Sequence, residues 1–467
     1  MTRVVRGLGR YRGRRVGILG LARSGLAAAR ALKDVGAEVL AFDDQPEALA
    51  RAAAHLGLKP GGQGDVADLA LLVPSPGVPL THPRPHLVIE VARAAGVPIR
   101  GDVDLFAEVA APRPIVGVTG TNGKSTTTAL IHHLLAAAGV DAVRGGNIGE
   151  AVFDLDLGPE TRVLVLELSS FQLDLCERLR PRVAVWLNLT PDHLDRHGDL
   201  DGYARAKRRI FAGQGEGDTA VVGVDDAPSR GLAGELAAQG RRVLRVSVGA
   251  VPDGGVGVRD GVLVDATDGA APRDVLDLAG LGRLRGRHNH QNAAVAYAAC
   301  RAIGLSAAAA TEGFPSFAGL PHRLEEVARA GSVIFVNDSK ATNPDATARA
   351  LESFADVFWI AGGRPKPGGF ASLRPLMGRV RGAYLIGEAA DEIARDIGDL
   401  VPVERSGTLE AAVAAAAGAA RASGLAAPAV LLAPACASFD QFANFEARGD
   451  AFRSLARAAA TAEGDVP

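Results

Sequence analysis

GTNGKSTTT, residues 120–128, follows the apolar run Pro114-Ile115-Val116-Gly117-Val118 and precedes a helical pattern, the setting a phosphate-binding loop requires. Gly120 and Gly123 let the backbone curl, so that successive N–H groups and the N-terminus of the next helix face an anion. Lys124 can neutralise terminal phosphates, and the Ser125 hydroxyl can ligate Mg²⁺. The usual first glycine of G-x-x-x-x-G-K-[ST] falls at Val118, so the loop is a variant. The alternative is a glycine-rich turn that only caps a helix. The strand before it and Lys-Ser-Thr after it favour nucleotide binding within an α/β sheet.

Toward the N-terminus, apolar strands alternate with alanine-rich helices, and RRVGILG, LARSGLAAARALKDVG and AEVLAFDD form a βαβ unit. Gly20 and Gly25 bracket a turn resembling a dinucleotide fingerprint, with Ala22 at its middle glycine position and Asp43 and Asp44 closing the second strand. Such a turn serves either a ligand or strand-to-helix packing. LALLVPSPGVP places Ser75, Pro76 and Gly77 after another buried strand, at a sheet edge where ligands collect. A boundary near Gly101 and Asp102 precedes a new series of strands.

Toward the C-terminus come GGNIG (145–149), VLVLELSSFQL (163–173), VAVWLNLTPDHLDRHG (183–198) and the helical DGYARAKRRIF (201–211). Residues 221–281 read as short strands and turns. A second boundary falls near Gly319, Leu320 and Pro321. Beyond it, VIFVNDSKATNPDAT, VFWIAGGRPK, AYLIGE and AVLLAPACASFDQF predict another open α/β sheet.

A chain of 467 residues suggests about three domains. With 48% hydrophobic and 22% charged residues it has the balance of a compact enzyme. Its 4% aromatic content supplies few stacking platforms, and a net charge of −2 gives no global attraction to nucleic acid or anionic membrane. Basic clusters at residues 12–15 and 207–209 read as local or solvated faces. Cys176, Cys300 and Cys436 are far apart and odd in number, which predicts buried or neutral thiols and no disulfide framework. No signal-peptide pattern or membrane-spanning apolar run is present, and a cytoplasmic, soluble protein is expected.

Several polar residues sit where strands end. Glu167 closes VLVLE, where its carboxylate either reaches a phosphate-bound metal or is a solvated strand end or helix cap. His193 follows LNL in a Thr-Pro-Asp-His loop. Asn147 lies between glycines as a turn residue or a ligand contact, and Lys207 on a helix would ordinarily be an exposed cation.

Taken in order, GTNGKST, GGNIG, LELSSFQL, NLTPDHLDRHG, YARAK, GRHNHQNAAVA, GLPHRLE, NDSKATNP, GGRPKPGGF and PACASFDQFANFEARG resemble the Mur ligases of peptidoglycan synthesis over nearly the whole chain. The resemblance implies three α/β domains. These are a Rossmann-like UDP-sugar domain at 1–102, a P-loop-type ATPase at 103–319, and a dinucleotide-fold-like amino-acid domain at 320–467. The first glycine turn would then hold uridine diphosphate and no nicotinamide. NDSKATN and PACASFDQF most resemble members that add D-glutamate. The implied reaction is ATP-dependent ligation of D-glutamate to the L-alanyl carboxylate of UDP-N-acetylmuramoyl-L-alanine, through an acyl phosphate.

By the same resemblance, Gly120, Thr121, Asn122, Gly123, Lys124, Ser125 and Thr126 hold ATP phosphates. Asn292, Arg323 and Asp338 complete the nucleotide site. Ser125, Glu167 and His193 would serve two Mg²⁺ sites, with Lys207 carbamylated as a further ligand. Asn147 would contact substrate at the reacting centre. Gly20, Asp43, Ser75, Pro76, Gly77 and Asn147 would line the UDP-sugar site, although Asp44-Gln45 departs from the Thr-Arg pair of some members. Lys340, Thr342, Lys366, Ser438 and Phe445 would surround D-glutamate, Phe445 alternatively packing the core. A monomer is expected, with small-molecule substrates, no nucleic-acid partner and no membrane insertion. Other readings are a sister ligase of the superfamily, a nucleotide-binding regulator without catalysis, and a nicotinamide oxidoreductase.

Overall fold

The computed structural model describes residues 7–461 except 270 and 367. The chain forms two compact units, one of residues up to 279 with 290–316, the other of 280–289 with 317 onward.

The first unit holds two sheets. β1 (Arg15–Leu19), β2 (Glu38–Phe42), β3 (Lys59–Pro60) and β4 (Leu71–Pro74) form a parallel sheet in the order β3-β2-β1-β4. Every residue of β1 after Arg15 is buried, which explains its unbroken apolar run. The helix Arg23–Asp34 follows β1 directly. Gly25 is required there, because a Cβ would lie 2.0 Å from the Gly20 carbonyl oxygen.

The second sheet comprises β5 (Ile115–Thr119), β6 (Ala142–Gly146), β7 (Val163–Glu167), β8 (Val183–Trp186), β9 (Thr219–Gly223), β10 (Arg242–Val248), β11 (Val256–Arg259), β12 (Val262–Asp265) and β13 (Arg273–Asp277). Their order is β13-β12-β11-β10-β9-β8-β5-β7-β6, parallel from β6 to β11 and antiparallel beyond. β5 lies between β7 and β8, so the chain reverses its direction of travel across the sheet where β5 meets its loop. In open α/β sheets that is where ligands bind.

Residues 221–281 are not strands and turns alone: the helix Ala227–Ala238 lies among them. Pro228, Gly231 and Gly234 disguise it. Its signals are the Asp226 side chain, which accepts from the Ser229 N–H, and the buried stripe Leu232, Ala233 and Leu236.

The second unit carries β14 (Glu325–Ala330), β15 (Val333–Asn337), β16 (Val357–Gly362), β17 (Val380–Ile386), β18 (Val403–Gly407) and β19 (Ala429–Leu432), ordered β14-β15-β19-β16-β17-β18 with only β14 antiparallel. Successive residues alternate between two cores. Ile334, Val336 and Trp359 enter one, and Phe335, Phe358 and Ile360 the other. A sheet covered on both faces is the doubly wound arrangement the sequence predicts.

All three cysteines are free and buried, and burial raises each thiol pKa, that of Cys176 and of Cys436 to about 12. Among the described residues no helix is long and apolar enough to cross a membrane.

Candidate active site

The loop after β5 is stitched to the segment after β8. The Thr121 N–H donates to the Asn188 carbonyl (3.0 Å), the Asn122 N–H to Asn188 Oδ1 (2.9 Å), and Thr121 Oγ1 to the Thr190 carbonyl (3.1 Å). Gly123 adopts φ 85° beneath Asn292, whose Oδ1 would lie 2.2 Å from an added Cβ and accepts from Thr127 Oγ1 at 3.3 Å. Lys124 and Ser125 open the helix Lys124–Ala137, with Thr126 half-buried in its first turn. Lys124 Nζ folds back onto the carbonyls of Gly120 (3.0 Å) and Thr121 (2.7 Å). The result is a cradle of backbone N–H groups with a cation beside it.

Lys207 is no exposed cation. It is 1% exposed, its Nζ donates to the same Gly120 carbonyl at 2.8 Å, and it lies 4.5 Å from the centre of the Tyr203 ring. Burial, reinforced by the Lys124 charge and opposed by Asp192 and Glu167, pushes its amine well below the usual lysine range. The solvated basic face expected at 207–209 is therefore wrong at its first residue.

Glu167 is 2% exposed, which excludes a solvated strand end. Its Oε1 accepts from Asn147 Nδ2 at 2.8 Å, while Oε2 is buried without a hydrogen-bond partner. An orphaned carboxylate oxygen is costly unless a cation satisfies it, so the site fits a metal. Among the described residues no group of three or more His, Cys, Asp and Glu side chains could hold an ion by itself. A metal here would also draw on phosphate oxygens and the Ser125 hydroxyl. His193 occupies a left-handed conformation (φ 53°) before the short helix Leu194–His197, its ring 4.9 Å from that of Phe171. Partial desolvation lowers its pKa, as do Lys124 and Lys207 against Asp192, favouring the neutral imidazole, the form able to ligate a metal.

Gly20, Asp43, Ser75, Pro76, Gly77 and Asn147 all line one cleft of about 600 Å³. Asp43 shapes its turn by accepting from the N–H groups of Leu21 (2.7 Å) and Gln45 (2.9 Å), and Ser75 Oγ donates to the Gly20 carbonyl at 2.6 Å.

In the second unit, the D-glutamate candidates lie at the ends of the adjacent strands β15, β19 and β16. Lys340 and Thr342 follow β15, Ser438 follows β19, Lys366 follows β16, and Phe445 opens the helix Phe445–Thr461. Lys340 Nζ lies 3.7 Å from the centre of the Phe445 ring, so the half-buried Phe445 holds a cation as well as packing. Burial raises the Asp338 pKa to about 7, against the Arg323 charge and the Leu324 N–H.

Several residues escaped the sequence reading. Arg448, buried, bonds Ser339 Oγ and the carbonyls of Ser339 (both 3.0 Å) and Cys436 (3.1 Å), tying the loops after β15 and β19 together. Arg196 donates to the Val78 carbonyl at 2.8 Å and covers the Phe171 ring. Asn188 anchors the phosphate loop. Asp102, buried against Gln172, is raised by burial to about 6. For Arg448 a signal was available: it lies between Phe445 and Phe452 at helical spacing, on the apolar side of its helix.

Residues 118–300 match the Mur ligase middle domain, and residues 322–436 the Mur ligase glutamate ligase domain. A UDP-N-acetylmuramoylalanine–D-glutamate ligase of Chelativorans sp. (strain BNC1) is 52% identical over 454 residues, 96% of each chain. A protein of the same name from Nitrobacter hamburgensis is also 52% identical, over 96% of this chain and 97% of its own. Among solved structures, the MurF ligase of Thermotoga maritima in complex with ADP aligns at a TM-score of 0.58 with 17% identity, over 97% of this chain and 96% of that one. UDP-N-acetylmuramate-alanine ligase MurC of the same organism gives 0.56 and 18%, over 94% and 98%. These two likenesses concern the fold.

Proposed function

Because this chain belongs to the Mur ligase family, we propose that it is an ATP-dependent amide-bond-forming ligase joining D-glutamate to the L-alanyl carboxylate of UDP-N-acetylmuramoyl-L-alanine in peptidoglycan synthesis. The observation that carries the chemistry is the convergence of Lys124 and Lys207 on one carbonyl, with Glu167 close enough for its charge to act on Lys207.

A carboxylate is a poor acylating agent because oxide is a poor leaving group. One carboxylate oxygen attacks the γ-phosphorus, the bond to the bridging oxygen breaks, and ADP leaves. The D-glutamate amine, having lost a proton, attacks the acyl carbon; the tetrahedral adduct collapses with loss of phosphate and the amide forms. Lys124 and the first-turn N–H groups of residues 123–126 hold the phosphates, on a loop fixed by the Thr121 and Asn122 bonds to Asn188, and lower the repulsion between two anions. Asn147, fixed on Glu167, orients the substrate at the reacting carboxylate.

Ser125, Glu167 and His193 would hold two Mg²⁺, with a carbamate on Lys207 as a further oxygen donor. Bound Mg²⁺ supplies charge neutralisation of the phosphates. The uncharged amine that burial favours at Lys207 is the form that adds CO₂, and the product turns a cation into a carboxylate-like ligand beside the metals.

The UDP-sugar cleft belongs mainly to residues 1–102, completed by Asn147, Ser169, Phe171 and Gln172, the ATPase to 103–319 and the D-glutamate site to 320–467. Breaks at 102 and 319 separate the three sheets, although 280–289 group with the last. Arg323 and Asp338 serve the nucleotide, and Lys340, Thr342, Lys366, Ser438 and Phe445 the acceptor. We place the protein in the cytoplasm, as a monomer. Borohydride trapping tests the intermediate: with ATP and UDP-sugar but no D-glutamate, the L-alanyl end is expected to be reduced to the alcohol, and its absence in enzyme that turns over once D-glutamate is added would contradict an acyl phosphate.

A further inference from the structure

We infer that Arg23 is the cation that receives the diphosphate of the UDP-sugar and ties that charge to the loop carrying Asn147. This rests on the assignment of the 600 Å³ cleft to the UDP-sugar. A diphosphate entering a protein cleft needs a counter-charge and donors to replace its water. Among the described residues lining the cleft, Arg23 is the one cationic side chain. Asp43 is the one acidic side chain there, and its carboxylate is already committed to the Leu21 and Gln45 N–H groups. The end of β2 therefore supplies negative charge and no cation.

Arg23 is the first residue of the 12-residue helix Arg23–Asp34, whose first-turn N–H groups face the same end of the cleft. The side chain is exposed, and among the described residues it makes no ion pair, its charge reaching only the buried Asp102 as a minor influence. It donates to the carbonyls of Gly146 (3.3 Å), Asn147 (3.2 Å) and Gly149. These are neutral acceptors that orient the guanidinium without cancelling its charge. Asn147 in turn bonds Glu167. One arginine thus links the phosphate end of the cleft to the residue set at the reacting carboxylate.

The test is the dissociation constant of UDP-N-acetylmuramoyl-L-alanine, measured by calorimetry with a non-hydrolysable ATP analogue present. Arg23→Ala is expected to weaken binding about 10-fold or more and to flatten its dependence on salt, while affinity for the ATP analogue stays within about 2-fold. Arg23→Lys, which keeps the charge, is expected to recover part of the affinity and of the salt dependence. Binding by Arg23→Ala within 2-fold of the parent, or a lysine variant as weak as the alanine one, would overturn the inference. Gly77→Trp separates this from the cleft assignment, because a Cβ at Gly77 meets nothing within 4 Å and the new ring would fill the cleft. If Gly77→Trp abolishes binding while Arg23→Ala does not weaken it, only the role of Arg23 falls. Normal binding by Gly77→Trp would overturn the cleft assignment and this inference with it.

Discussion

Lys124 and Lys207 donate to the same Gly120 carbonyl, and two ammonium groups so placed repel each other. Burial first, and this repulsion second, lower the Lys207 pKa well below the usual lysine range, which favours the carbamate proposed there. Lys207→Ala is expected to lower turnover about 100-fold or more, with partial recovery on adding formate or acetate. Full activity without added acid would contradict the carbamate. Asp338 allows a test on stability. Its folded pKa is about 7 against an ordinary 3.8, so between those values the folded chain holds a proton the unfolded chain lacks. Stability contributed by this group therefore falls as pH rises from about 4 to 7 and is flat above. Asp338→Asn, which keeps an acceptor for the Leu324 N–H, should be more stable than the parent at pH 8 by about 2 kcal/mol, the gap closing toward pH 4. Melting curves at the two pH values check it, and a pH-independent difference would contradict it.

At the scale of elements, the phosphate loop is as rigid as its tie to the segment after β8. Asn188→Ala removes one acceptor and one donor for Asn122, so the KM for ATP should rise about 10-fold with a melting temperature within a few degrees of the parent. An unchanged KM would show that the Thr121–Thr190 pair suffices. Strands that end in small, polar loops were legible because parallel strands buried on both faces leave unbroken apolar runs. The helix Ala227–Ala238 was not, because Pro228, Gly231 and Gly234 stand on its exposed side and its cap lies at Asp226, outside the apolar pattern. The burial of Lys207 was half-legible. It falls four residues after Tyr203 and three before Ile210, on the apolar side of its helix, but helical spacing cannot say that the side covers a phosphate loop. Arg23 and Arg196 act on carbonyls distant in sequence, which no local pattern displays.

For the whole molecule, low aromatic content and near-neutral charge turned attention from nucleic acid toward small-molecule chemistry, and the order of motifs pointed to one ligase family before any contact was visible. The sheets explain why those motifs lie where they do. Each candidate cluster sits at the C-terminal ends of parallel strands, β1 and β4, then β5, β7 and β8, then β15, β16 and β19. On the proposed assignment, acceptor choice is a property of the last sheet's loops, where Lys340 and Lys366 would suit the two carboxylates of D-glutamate better than a cationic side chain. The most direct measurement is phosphate release with ATP, Mg²⁺ and UDP-N-acetylmuramoyl-L-alanine, comparing D-glutamate with L-glutamate, L-lysine and meso-diaminopimelate and weighing the product by mass spectrometry. Product with D-glutamate alone is expected; product with another acceptor, or none with any, would contradict the proposed ligation.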